Sequence, residues 1–188
     1  MTNQNWCVAV FKCRPDNIRK VLVDFYGFVK DLENVQSLHF LIRDRLGDCL
    51  VFSFRVLVNS KDNAIVESKI AYKLGQLLAE EDFAVNPETK NPLSKYVDWC
   101  PDERMAKFGQ KKFTKFCDIV DRLSKLVLWM IKNGYFDSAE RVEVAHSVSW
   151  MLGCTEYGLL DTDHWEVGYY DHIEDKYCQS LKHDFPKK

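Results

Sequence analysis

The sequence has no glycine-rich phosphate loop: its 8 glycines are isolated and none stands in a GxxxxGK or GxGxxG arrangement. ATP-driven and dinucleotide-driven chemistry therefore lack their usual backbone cradle. GxSxG and HExxH are missing too, which removes the serine hydrolases and zincins that depend on them. With only 5 prolines beside those glycines in 188 residues, a linker-rich, collagen-like or disordered chain is excluded. No apolar run approaches the roughly 20 residues that a membrane-spanning helix takes, since even the stretch 123–131 carries Ser124, Lys125 and Trp129. Nor does one charge dominate. Lys plus Arg number 26 against 28 for Asp plus Glu, a net charge of -2, so there is no bulk attraction to nucleic acid or to an anionic membrane.

Cysteines are present but unpatterned. The 7 of them, at 7, 13, 49, 100, 117, 154 and 178, form no CxxC pair, and an odd, scattered set is not a disulfide framework. The start MTNQNWCVAV lacks the basic region and small-residue cleavage site of a signal peptide. Together these predict a reducing, cytoplasmic setting in which the cysteines are small buried hydrophobes.

What is present is a core. At 46% hydrophobic and 13% aromatic, the composition suits a single domain over 1–188, with a sheet-containing half to about residue 100 and a helical half beyond it. Residues 6–12 read as a strand ended by Arg14-Pro15, and Asp16 is placed to cap a helix over about 16–33 with Val21, Leu22, Phe25, Phe28, Val29 and Leu32 on one face. Residues 37–43 and 49–58 read as an antiparallel hairpin turned at Gly47-Asp48. Alternation then puts Phe52, Phe54 and Val56 on one face and Val51, Ser53 and Arg55 on the other, with His39, Leu41 and Arg43 alternating against Leu38, Phe40 and Ile42. A second helix is expected over about 65–79, short extended pieces near 83–85 and 95–99, and a Pro-containing loop over 86–94. A long helix from 103 or 110 to 132 ends at Asn133-Gly134, with Phe113, Phe116, Val120, Leu123, Val127 and Met130 as its seam. Another is predicted over 139–152. The fold class is α+β: a small antiparallel sheet with helices on one face, packed against a C-terminal bundle of long helices.

Three constellations could carry chemistry. Arg43 and Arg55, on neighbouring strands, are suited to a carboxylate or phosphate, because a planar guanidinium offers two parallel hydrogen bonds; equally, each could pair with a surface acid such as Asp44, Asp48 or Glu67. His146 falls off the stripe of Ala145, Val148 and Leu152 and shares its side with Ser149 and Trp150, where it could exchange a proton in a cleft or simply hydrogen-bond between helices. The C-terminal set Asp161, Asp163, His164, Glu166, Asp171, His172, Glu174, Asp175, Cys178 and His183 is rich in ligand types but matches no compact zinc spacing. Neither a metal nor an organic cofactor is expected.

The run Phe40-Leu-Ile-Arg-Asp44 followed by Leu50-Val-Phe-Ser-Phe-Arg-Val56 resembles the paired arginine-bearing strands of the small C-terminal elimination domain of lantibiotic dehydratases, also found as the thiopeptide-type bacteriocin biosynthesis domain. Glu103-Arg-Met-Ala-Lys-Phe-Gly109 resembles that family's segment before a long helix, and Ala145-His-Ser-Val-Ser-Trp-Met-Leu-Gly153 its histidine-bearing helix. The similar order covers roughly 6–156. The resemblance implies a peptide-modifying lyase that removes glutamate from a glutamylated Ser or Thr, with Arg43 and Arg55 holding carboxylate or enolate charge and His146 transferring the proton. It also implies a separate activating enzyme that makes the substrate. Val51 and Ser53 stand where the family tends to show a His and a second Arg, and Gly109-Gln110 where it has two glycines.

The competing reading is a non-catalytic module that binds a peptide or small anionic ligand, or forms a homodimer through Trp129, Tyr135, Phe136 and Trp150. A metal-dependent enzyme built on the C-terminal cluster ranks third.

Overall fold

A computed structural model of the protein describes residues 5–59, 61–86, 90–96, 106 and 109–135, with the backbone alone described at 42–45. The order is β1 (Asn5–Cys13), α1 (Ile18–Lys30), β2 (Val35–Leu46), β3 (Cys49–Val58), α2 (Asn63–Leu77), β4 (Phe83–Val85) and α3 (Gln110–Lys132), with short 3-10 turns at Pro15–Asn17 and Pro92–Tyr96. The four strands form one antiparallel sheet in the order β2-β3-β1-β4. Two β-α-β units are therefore interlocked, each with a strand of the other inserted between its own, which is the split β-α-β or ferredoxin-like arrangement.

Alternation along the strands sorts the two faces as the hydrophobic pattern requires. The first face carries Cys7, Ala9 and Phe11 from β1, Leu38 and Phe40 from β2, and Phe52, Phe54 and Val56 from β3, covered by Ile18, Val21, Leu22, Phe25 and Val29 of α1 and Val66, Ile70 and Leu74 of α2. Phe11 stacks between Phe52 at 5.4 Å and Phe54 at 5.7 Å, and Phe25 meets Phe54 edge-on at 4.7 Å. Each such ring stabilises the fold by about 2–3 kcal/mol through area removed from water, and edge-to-face geometry adds to that.

The second face is also covered. Val8, Val10, Leu41, Val51 and Ala84 meet Leu93 and Tyr96 of the 3-10 turn and Phe113, Phe116, Cys117 and Val120 of α3, so the expectation of helices on one face alone gives way to a sheet buried on both. The expected extended piece near 95–99 is, over its described part, the end of that 3-10 turn. Asp16 lies inside the first 3-10 turn rather than capping: Asn17 is the N-cap of α1 and makes no side-chain cap bond.

Helix α3 passes along the outer edge of β2. Its first half joins the second-face cluster, while Val127, Leu128 and Ile131 join the first. Midway, Asp121 Oδ1 accepts a hydrogen bond from the Leu38 N–H at 2.8 Å and Ser124 Oγ accepts one from the Phe40 N–H at 3.3 Å. Those N–H groups point away from β3, and the helix satisfies them where a fifth strand would have done so. Ser124 is consequently buried while Leu123 and Met130 are half-buried, so the seam is rotated from the purely apolar one. The helix stops in a Schellman motif: the Tyr135 N–H donates to Met130 O and the Gly134 N–H to Ile131 O, with Gly134 at φ 79°.

Candidate functional site

Register decides what meets what on the second face. The two-residue turn Gly47–Asp48 pairs Leu46 with Cys49, Arg45 with Leu50 and Asp44 with Val51. Between Asp44 and Ile42 the register shifts by one, and Arg43 is the extra residue of a bulge. Beyond it Ile42 faces Phe52, Phe40 faces Phe54, and His39 faces Arg55. Without the shift Phe40 would stand opposite Arg55 and every side chain N-terminal to 43 would change faces. The bulge is thus what keeps Phe40 among the phenylalanines and sets His39 beside Arg55.

Arg55 lies in β3, a central strand, between Val8 on β1 and His39 on β2, and both it and His39 are 0% exposed. The Trp6 ring stands 5.3 Å from the His39 ring. Ser53, two residues along from Arg55, is buried on the same face, and Ser37, two residues from His39, holds its Oγ out of water with no hydrogen-bond partner among the described residues. A guanidinium, an imidazole, an indole and two hydroxyls therefore share a face with the buried Val8, Val10, Leu41, Val51 and Ala84. Arg55 is itself partnered within the protein, as a guanidinium buried in such a setting has to be.

The backbone of Arg43 is four positions along β2 from His39, so it sits about 13 Å from the Arg55 level of the sheet. Arg43 and Arg55 are not cross-strand partners, and the residue that Arg55 is brought together with is His39. His146, the long helix predicted over 139–152 and the C-terminal His/Asp-rich cluster lie outside the described residues. His39 is visible in the sequence only as a member of an alternating strand; its partnership with Arg55 needs the bulge, and counting back from Gly47-Asp48 pairs Arg55 with Phe40.

The cysteines fit their expected role where they are described. Cys7, Cys13 and Cys49 are free thiols, and Cys117 is buried. Burial pushes the Cys7 thiol up to about 12, helped by the Glu67 carboxylate, and burial likewise pushes Cys13 to about 12, helped by Glu81. Neither is a nucleophile at neutral pH. Among the described residues no group of three or more His, Cys, Asp or Glu could hold a metal ion, and no helix is long and apolar enough to cross a membrane.

No protein-family model, curated protein or solved structure matches this chain.

Proposed function

We propose that the protein binds a carboxylate or phosphate group carried by a peptide or small acid, with Arg55 as its fixed cation, reached when the layer that covers the second face moves aside. The observation that supports this is the buried Arg55–His39 cross-strand pair, set among apolar neighbours at the centre of the sheet. A guanidinium held rigidly by its strand gives bidentate recognition at little entropic cost. His39 and the Ser37 and Ser53 hydroxyls supply further donors. Arg43, one bulge away along β2, and His146, on the helix predicted for the C-terminal half, complete the set that the sequence assigns to this site.

The reaction that such a site serves, on the resemblance to the elimination domains, is β-elimination of glutamate from a glutamylated Ser or Thr. His146 takes the α-proton, the C–H electron pair becomes the Cα–Cβ double bond, and the Cβ–O bond breaks to release glutamate. Arg55 and Arg43 hold the departing carboxylates or the enolate charge.

Incubating the full chain with a glutamylated peptide tests both levels. Release of glutamate, with a dehydrated product by mass, supports the lyase. A rise in the unfolding temperature with peptide but no product supports binding alone. Neither effect, or effects unchanged in Arg55→Lys, would overturn the reading.

A further inference from the structure

The outward side of α3 is independent of that site and has an unusual composition. Between Gln110 and Tyr135 there are six basic residues against two acidic ones, although the whole chain carries a net charge of -2. One of those acids, Asp121, is already engaged by the Leu38 N–H and by Lys125. Lys111, Lys115, Arg122, Lys125 and Lys132 are all exposed and share one side of the helix, with Lys111 beside Lys115, Arg122 beside Lys125, and exposed Asp118 between the two pairs. The last turns add apolar surface, with Leu126 52%, Trp129 53% and Tyr135 60% exposed. Trp129 stacks on Tyr135 at 5.5 Å, and the Schellman turn fixes Tyr135 in that position. Lys125 and Leu126 lie one turn before Trp129 and Lys132 one turn after it, so the ring pair stands between cations.

We infer that this stripe is a docking surface for an acidic polypeptide segment of a partner protein. Aromatic or leucine side chains of the segment cover Leu126, Trp129 and Tyr135, and its carboxylates follow Lys111, Lys115, Arg122 and Lys132. The charge imbalance steers the encounter and the rings anchor it. A second copy of this chain fits badly, because two such helices laid face to face bring the same cations together. Single-stranded nucleic acid fits less well than a peptide, because it stacks successive bases on open ring faces, whereas Trp129 and Tyr135 close on each other.

Panning random displayed dodecapeptides on the full chain tests this directly. The expected winners combine several Asp or Glu with two or more Phe, Trp or Leu. Their affinity falls with added salt, about tenfold or more in Trp129→Ala, and again in an Arg122→Glu, Lys132→Glu variant. These positions are exposed, so the variants keep the parent's unfolding temperature. Winners without acidic residues, or equal binding by Trp129→Ala, would overturn the proposal. So would oligothymidylate that binds more tightly than the best peptide, or a dimer in sedimentation that Trp129→Ala abolishes.

Discussion

Arg55 is the side chain on which most depends, because among the described residues it is the largest of the wholly buried ones and the only one of them that carries a fixed charge. Replacing it by Ala removes both the charge and the packing of its stem, and should lower stability by about 3–5 kcal/mol, the range for breaking into a buried charged cluster. Arg55→Lys keeps the charge but not the planar fork; if an anion is held there, this variant loses ligand-induced stabilisation while staying folded, which a thermal shift with glutamate-bearing peptide reads out. The buried thiols make a separate prediction. A thiol whose pKa is near 12 when folded and 9.0 when unfolded keeps its proton in the native state after the unfolded chain has lost it. The stability this supplies is complete below pH 9 and drains as pH rises toward 12. Urea midpoints should fall across that window, and less steeply in Cys7→Ala. At pH 8, mass mapping after brief alkylation should find Cys49, which is half-buried, modified before Cys7 and Cys13.

At the scale of elements, the bulge at Arg43 does more than its single residue suggests. Deleting Arg43 removes the extra residue and leaves Asp44 opposite Val51 and Ile42 opposite Phe52 in unbroken pairing, so Phe40 and His39 keep their partners and faces. The expected result is that cooperative unfolding and the near-ultraviolet aromatic signal survive both this deletion and Arg43→Ala. Ser124→Ala orphans the Phe40 N–H in a buried setting and should cost about 1–3 kcal/mol, measured by denaturant titration. The same hydrogen bond explains why the seam of α3 was only partly legible in its sequence. Period and stop signals located the helix and its end at Asn133-Gly134, because those are local. Which residue turns inward near position 124 depended on an edge strand more than 80 residues away. Likewise alternation separated Phe52, Phe54 and Val56 from Ser53 and Arg55, but an inserted residue leaves no mark in alternation, so the identity of Arg55's neighbour was hidden. Asp16 looked like a cap by residue type, yet Pro15 started a 3-10 turn that took it up.

At the scale of the whole molecule, strand-helix-strand-strand-helix-strand was readable in order, and the interlocking of the two β-α-β units was not, since strand order is a tertiary choice. The sheet ends in two different ways. On one side β4 is only Phe83–Val85, too short to template much. On the other, β2 runs from Val35 to Leu46 and is long enough to recruit another chain, but α3 occupies its outward N–H groups at Leu38 and Phe40. The segment it covers, Ser37-Leu-His-Phe-Leu-Ile42, is apolar, rich in strand formers and free of proline and of fixed charge, the composition of a self-stacking amyloid segment. Helix α3 thus closes that edge: two of the backbone N–H groups through which the segment would pair with another strand are already taken by Asp121 and Ser124.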